Sequence, residues 1–307
     1  MMSKQKQKKI VGHDRQKNFL RRVLANKQKY HHMMIFSGPA HVGKSALAKA
    51  FSKHYIDNEE EGVGLCVWEE VEHISKYDDI VYISPQKVEK KGIVKMKKIG
   101  IEEVKKAMNR IVRTGTHERR ILIVDDAHML TISAQNALLK IVEEPPHGVM
   151  IIFVTQDTTN ILATIRSRAM SLSFELCSEK DMSNLQAIYS HLTVDDVGLA
   201  PGQPGLAIQI GDQPELRSEL EGYYADLQSY RSWSISERMQ YAENLAKDRI
   251  RCERCLALWI ARTRKSAHEH ERYDVLQITS RISNTLKIIQ STNSNARIAC
   301  ENMLLHI

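Results

Sequence analysis

A glycine-rich loop that ends in lysine and serine is the segment of this sequence best suited to chemistry. The pattern GxxxxGKS covers residues 38–45, between the apolar run 33–37 and the alanine-rich run 46–51. Glycines allow backbone N–H groups to curl around a phosphate, the lysine reaches phosphate oxygens, and the serine hydroxyl can bind Mg²⁺. We therefore predict a strand, a phosphate-binding loop (the P-loop, residues 38–45) and a helix whose N-terminus favours anions. The candidate nucleotide ligands are Gly38, Pro39, Ala40, His41, Val42, Gly43, Lys44, Ser45 and Ala46.

Two aspartates follow a second apolar run. Residues 121–124 are β-branched at three of four positions, which predicts a strand buried on both faces of a sheet. Parallel sheets bind ligands at the carboxyl ends of their strands, so Asp125 is a candidate Mg²⁺ ligand together with Ser45. Asp126 is a weaker candidate for polarising an attacking water, because nucleotide hydrolases of this type normally carry the longer Glu there. Nucleotide binding is therefore better supported than hydrolysis.

A third buried strand and an arginine pair complete the set of candidate residues. Residues 149–154 form another apolar run, and Thr155 at its end could sense a γ-phosphate. Arg166 and Arg168 follow in a short helix-like segment. An arginine there could reach a nucleotide of its own chain or of a neighbour, although the spacing alone favours a surface position.

Composition indicates a folded, largely helical α or α/β protein. The 307 residues include 44 Lys and Arg, 37 Asp and Glu, and 42% hydrophobic residues, enough for two or three domains. The formal net charge of +7 is concentrated in residues 1–30, which hold ten Lys and Arg against Asp14, so it is weak evidence for direct DNA contact. The sequence lacks an 18-residue apolar run or an apolar region after its basic start, so we expect no membrane contact and a cytoplasmic location.

Two further motifs identify a family. Residues 133–146 read SAQNALLKIVEEPP and residues 164–168 read TIRSR. They resemble the N-A-L-L-K-x-x-E-E-P-P and T-I-x-S-R-C signatures of sliding-clamp loader subunits, a branch of the AAA+ family. A closer resemblance, to the delta-prime class of bacterial DNA polymerase III, is carried by His31, His32 and the segments 36–39 and 293–305.

The resemblance implies an α/β fold and a division into three domains. These are an AAA+ P-loop domain with a central, mainly parallel sheet (1–175), a small helical lid (176–212) and an all-α C-terminal collar that oligomerises (213–307). It also implies ATP as ligand, Thr155 as sensor 1 and Arg168 as an arginine finger acting on a neighbour's nucleotide. Val11 and Gly12 match the stretch near the adenine.

Two positions and one stretch of the sequence depart from the family pattern. Ala169 replaces the cysteine of the second signature, and Gly205 stands where ATP-hydrolysing subunits carry a sensor 2 arginine. The family often holds a four-cysteine zinc module after the P-loop helix, but this stretch contains Cys66 alone, so we expect no structural zinc. With Asp126, Gly205 predicts weak or absent ATP hydrolysis.

The function implied is that of a delta-prime subunit within the DNA polymerase III holoenzyme, without a polymerase site of its own. Its partners would be the gamma/tau motor and delta subunits and, through them, the sliding clamp and primed DNA. One alternative is an ATP-hydrolysing motor subunit of the same loader. A remote alternative is a small-molecule P-loop kinase, which would leave the two signatures unexplained.

Two helical patterns bear on packing and on metal binding. Residues 101–112 predict an amphipathic helix that buries Ile101, Val104, Met108, Ile111 and Val112. Cys252 and Cys255, followed by His268 and His270, resemble a zinc finger with the wrong final spacing. Their apolar neighbours predict core thiols in a buried helix instead.

Overall fold

The structure is a computed structural model that describes residues 9–25, 31–57, 77–90, 93–113, 118–270, 273–291 and 295–307. Cys66 lies outside these residues, so the expectation of no zinc module stays a prediction. The chain divides into two compact units, Met1–Asn184 and Leu185–Ile307. Within the described residues, no helix is long and apolar enough to cross a membrane.

The first unit alternates helices and strands. In chain order its elements are α1 (Asp14–Ala25), β1 (Met33–Ser37), α2 (Lys44–Asp57), β2 (Ile80–Ile83), β3 (Gln86–Lys90), β4 (Ile93–Lys97), α3 (Ile101–Arg113), β5 (Arg120–Val124), α4 (Ile132–Glu143), β6 (Val149–Thr155), α5 (Ala163–Arg166), β7 (Met170–Ser173) and the start of α6 (Glu179–Ile188).

Five strands form one parallel sheet in the order β2-β5-β6-β1-β7. Helices cover both of its faces, and alternate strand residues face opposite sides. Phe36 and Ile123 pack in a core with α1 and α2, whereas Ile35 and Leu122 pack with α3 and α4. This double burial explains why β1, β5 and β6 are continuous apolar runs, and the three predicted strands are confirmed.

The strands β3 and β4 form a separate antiparallel pair, in which Gln86 lies opposite Lys97. They were not predicted, because the segment is rich in lysine and lacks a continuous apolar run. The pair enters the fold between β2 and α3.

Helix α3 packs as an amphipathic helix, with one correction to its predicted face. It buries Val104, Ala107 and Ile111, but Val112 is 53% exposed. Each helical residue rotates by about 100°, so Val112 lies a quarter-turn from the stripe centred on Ile111. The prediction that Val112 is buried is wrong for this reason.

Strand β7 forms one edge of the sheet built by the described residues. It is only four residues long, and Ser171 and Ser173 are exposed. The Nε2 of Gln16, on α1, donates a hydrogen bond to the Ser173 carbonyl oxygen at 2.6 Å. The backbone at this end of the edge is therefore already engaged.

The second unit is built from helices in the residues that the structure describes. They are the end of α6, α7 (Val194–Leu199), α8 (Pro204–Asp212), α9 (Pro214–Ser229), α10 (Ile235–Ala246), α11 (Arg249–His270), α12 (Tyr273–Ser291) and α13 (Ala296–His306).

A core around Trp259 holds α9 to α13 together. Trp259 is fully buried and donates from Nε1 to the Tyr223 carbonyl oxygen at 2.8 Å. Cys252 and Cys255 are also fully buried in this core, which confirms the prediction of core thiols. The side chains of residues 268–270 lie outside the described part of the chain.

The predicted fold class is confirmed: a central parallel sheet with flanking helices is followed by a helical region. The finer division of the chain at residues 175 and 212 stays a prediction.

Candidate functional site

The P-loop joins the carboxyl end of β1 to the start of α2. Gly38, His41 and Gly43 have positive φ angles of 146°, 59° and 102°. A Cβ atom on Gly38 would lie 2.1 Å from the Phe174 carbonyl oxygen, so no side chain fits there. The Gly38 N–H donates to the Thr155 carbonyl oxygen at 3.3 Å. Glycine at position 38 therefore lets the loop leave the sheet between β6 and the end of β7.

Lys44 lies inside the P-loop. The residue is only 6% exposed. Its Nζ donates hydrogen bonds to the Gly38 carbonyl oxygen at 2.8 Å and to the Pro39 carbonyl oxygen. Burial lowers the pKa of Lys44 to about 8, although the carboxylates of Asp126 and Asp125 favour its charged form. The lysine is thus positioned by the loop that would hold a phosphate.

Asp125 and Ser45 meet as predicted. The Ser45 hydroxyl donates to Oδ2 of Asp125 at 2.7 Å, and the Asp126 N–H donates to Oδ1 at 3.1 Å. Because Ser45 uses its proton for Asp125, its oxygen lone pairs remain available to a cation. Mg²⁺ prefers oxygen ligands of this kind, so the two residues fit the metal that accompanies a nucleotide.

Tyr82 also contacts Asp125, and the sequence did not indicate this residue. It lies on β2, opposite Ile123 of the neighbouring β5, and its hydroxyl donates to Oδ2 of Asp125 at 2.5 Å. Burial and the Asp125 charge raise the pKa of Tyr82 well above its usual value. The phenol therefore keeps its proton and acts as a donor.

Asp126 has a left-handed backbone, with φ of 48°, and precedes the short 3-10 turn Ala127–Met129. Burial and the neighbouring Asp125 charge raise the pKa of Asp126. The side chain accepts a hydrogen bond from Gln156. Its role in polarising water stays a prediction.

Thr155 lies beside the start of the P-loop, because it pairs with Ser37 across β6 and β1. It is 1% exposed, and its hydroxyl donates to the Asp157 carbonyl oxygen at 2.7 Å. The Asp157 N–H donates back to the same hydroxyl at 3.2 Å. In this structure the hydroxyl closes the turn after β6, and its role as a γ-phosphate sensor stays a prediction.

The predicted adenine-side residues lie against the P-loop. Val11 and Gly12 are buried, and Gly12 has a φ of 70°. The next residue, His13, donates from Nε2 to the Val42 carbonyl oxygen at 2.7 Å. A Cβ atom on Gly12 would lie 3.0 Å from Sγ of Cys177, so this junction is tightly packed. Contact between Val11, Gly12 and an adenine stays a prediction.

Arg168 lies apart from these residues. It is exposed, its Nη1 donates to the Thr164 carbonyl oxygen at 3.0 Å, and its Nη2 lies 3.2 Å from Oε1 of Glu143. It precedes the amino end of β7, whereas the P-loop lies at the carboxyl end, where Ser173 pairs with Ser37. At 3.3 Å per residue, β7 separates the two by about 10 Å. Arg168 therefore lies at the amino ends of the strands, whereas the P-loop of its own chain lies at their carboxyl ends.

Gln135 is a second residue that the sequence did not single out. It is 2% exposed, its Nε2 donates to the Asn160 carbonyl oxygen at 2.8 Å, and its Oε1 accepts the Leu162 N–H at 2.8 Å. The amide thus joins α4 to the loop before α5, the segment that leads to Arg168. The sequence signal that could have identified Gln135 is its place between two buried apolar positions of a helix.

Comparison with known proteins places this site in a family. The family model described as "DNA polymerase III, delta subunit" matches residues 12–178. The gamma subunit of DNA polymerase III from Buchnera aphidicola subsp. Schizaphis graminum (strain Sg) is 28% identical over 181 residues, covering 58% of this chain and 47% of that protein. The delta' subunit from Escherichia coli (strain K12) is 26% identical over 199 residues, covering 62% and 58%.

A solved structure of a gamma-subunit-related protein from Thermotoga maritima is 16% identical, with a TM-score of 0.46 over 94% of this chain and 97% of that chain. The chain spans about half the length of the two curated relatives named above. The family model covers more than half of this chain, including the P-loop, Asp125, Thr155 and Arg168. The chain therefore belongs to the DNA polymerase III delta-subunit family.

Proposed function

We propose that this chain is a delta-prime subunit of a bacterial DNA polymerase III clamp loader, which supports ATP-dependent loading of the sliding clamp onto primed DNA. The family match over residues 12–178 is the observation that carries this proposal. Relatives include both gamma and delta' subunits, so the choice between them rests on two residues. Asp126 replaces the usual catalytic Glu, and Gly205 replaces the sensor 2 arginine, which favours delta-prime.

Within this proposal the P-loop binds ATP with Mg²⁺. Lys44 neutralises phosphate charge, and Ser45, held by Asp125, supplies an oxygen to the metal. When bound, Mg²⁺ would neutralise phosphate oxygens and fix their geometry. With Asp126 and Gly205 in place, hydrolysis by this chain is weak or absent.

The proposed partners are the gamma/tau motor and delta subunits, with the clamp and primed DNA reached through them in the cytoplasm. Arg168 would stabilise charge on the γ-phosphate of ATP held by an adjacent motor subunit. Its position at the amino ends of the strands, away from its own P-loop at their carboxyl ends, supports action on a neighbour rather than on its own nucleotide.

Binding of a fluorescent ATP analogue to the purified chain tests the nucleotide part of the proposal. Lys44→Met removes a charged donor to phosphate and should weaken binding by about a hundredfold. Lys53→Met, on the same helix but outside the P-loop, is the matched control and should bind like the wild type.

The same preparation separates the alternatives through ATP turnover. The delta-prime proposal expects little turnover by the isolated chain. Turnover that depends on Lys44 would instead favour the motor subunit. In a separate purification from the native cell, a failure to copurify with any loader subunit would reopen the kinase alternative.

A further inference from the structure

Tyr82 reaches the candidate metal site from the neighbouring strand. Its hydroxyl and the Ser45 hydroxyl both donate to Oδ2 of Asp125, at 2.5 and 2.7 Å. The ammonium of Lys49, one helical turn after Ser45, lies 4.7 Å from the centre of the Tyr82 ring. These contacts join three elements of the fold. Ser45 and Lys49 lie on α2, Tyr82 lies on β2, and Asp125 directly follows β5.

Three donors fix the orientation of the Asp125 carboxylate. Oδ2 accepts from Tyr82 and Ser45, and Oδ1 accepts from the Asp126 N–H. The Ser45 hydroxyl can rotate, so the direction of its lone pairs depends on where Oδ2 lies. Hydrogen bonds to a carboxylate are shorter and stronger than bonds between neutral groups, so losing one loosens this arrangement.

We infer that Tyr82 is a positioning residue for the metal site, because its hydroxyl holds Asp125 in the orientation that presents the Ser45 oxygen to Mg²⁺. This inference rests on the proposed nucleotide binding. In this inference Tyr82 acts through Asp125, which accepts its hydrogen bond, and not by contacting the nucleotide or the metal itself. The Lys49 cation stacked on the ring holds the phenol in place from the helix side.

The test compares nucleotide affinity with and without the metal. A fluorescent ATP analogue is titrated into wild type and Tyr82→Phe, once in Mg²⁺ and once in EDTA. Tyr82→Phe should bind about tenfold more weakly in Mg²⁺, since it loses one hydrogen bond to a charged group, and should equal the wild type in EDTA. Tyr55→Phe, on α2 in the same core, is the matched control and should change neither affinity.

A double-mutant cycle shows whether the effect passes through Asp125. On an Asp125→Asn background, Tyr82→Phe should have no further effect on Mg²⁺-dependent affinity. An equal loss in Mg²⁺ and EDTA, or no loss in either, would overturn the inference while leaving nucleotide binding intact. A wild-type chain that binds no nucleotide, with or without Mg²⁺, would overturn the proposed function as well.

Discussion

Arg168 is the residue that we propose to act on a nucleotide bound by a neighbouring subunit. Its guanidinium is exposed and paired with Glu143, at the end of the strands opposite the P-loop. An exposed ion pair of this kind is worth at most about 1 kcal/mol, so a phosphate on a neighbour can displace Glu143 at little cost. The ion pair therefore orients the arginine side chain but leaves it able to exchange Glu143 for another anion.

Arg168→Ala should lower clamp- and DNA-stimulated ATP hydrolysis in a reconstituted loader by about 10³ at the neighbouring site, because the variant lacks the proposed stabiliser of γ-phosphate charge. Steady-state ATPase measurement, with gel filtration to verify assembly, checks this. Arg166→Ala, also exposed and in the same segment, is the control. Unchanged turnover, or equal losses in both variants, would remove the role.

The residues of the P-loop could be predicted because their chemistry lies within eight consecutive positions. Gly38 and Gly43 are needed for positive φ angles, and Lys44 and Ser45 follow directly. Tyr82 could not be predicted, because its bond to Asp125 depends on β2 lying beside β5 in a particular register. A single sequence carries no signal for such a cross-strand contact.

Helix α4 is the element that connects the sheet to the segment around Arg168. Its buried Gln135 bonds the backbone at Asn160 and Leu162, and Glu143 at its last position pairs with Arg168. Helix α4 is therefore joined to the loop before α5 through Gln135 and to the residues after α5 through Glu143.

Gln135→Leu tests this connection. The substitution deprives the Asn160 carbonyl and the Leu162 N–H of their buried partner, which should lower the free energy of unfolding by about 2–4 kcal/mol. Urea denaturation provides the measurement. Asn136→Ala, the adjacent exposed position, should change stability by no more than about 0.5 kcal/mol. Similar losses in both variants would contradict a specific role for the buried amide.

The elements of the first unit differ in how readily the sequence reveals them. Strands β1, β5 and β6 are continuous apolar runs because helices cover both faces of the sheet. The β3–β4 pair lies outside this sheet, so double burial does not shape its sequence. In α3, the apolar pattern predicts the helix but not its rotation, which tertiary packing sets so that Val112 faces outward.

At the scale of the whole molecule, each unit buries its own set of large side chains. Phe36, Phe51 and Phe153 lie in the cores of the first unit, and Trp259 lies in that of the second. A ligand that binds the P-loop stabilises the native state of the unit that holds the loop. Its effect should therefore be uneven along the chain.

Hydrogen exchange with mass spectrometry can measure that unevenness. ATP and Mg²⁺ at a hundred times the dissociation constant should protect peptides from α2 and β5 by up to about 2.7 kcal/mol. Peptides from α11 and α12 should exchange at unchanged rates, and Lys44→Met should abolish the protection. Equal protection of both units would show that they respond to the ligand as one.

The short edge strand β7 also affects the tendency of the chain to associate with other copies of itself. Exposed sheet edges can recruit further strands and lead to aggregation. Here the edge offers only four residues, two of them exposed serines, and Gln16 occupies the Ser173 carbonyl. Backbone pairing is thus discouraged at the edge strand that begins two residues after Arg168. A protein that bound there would have to recognise side chains, which is more selective than pairing with the backbone of an open strand.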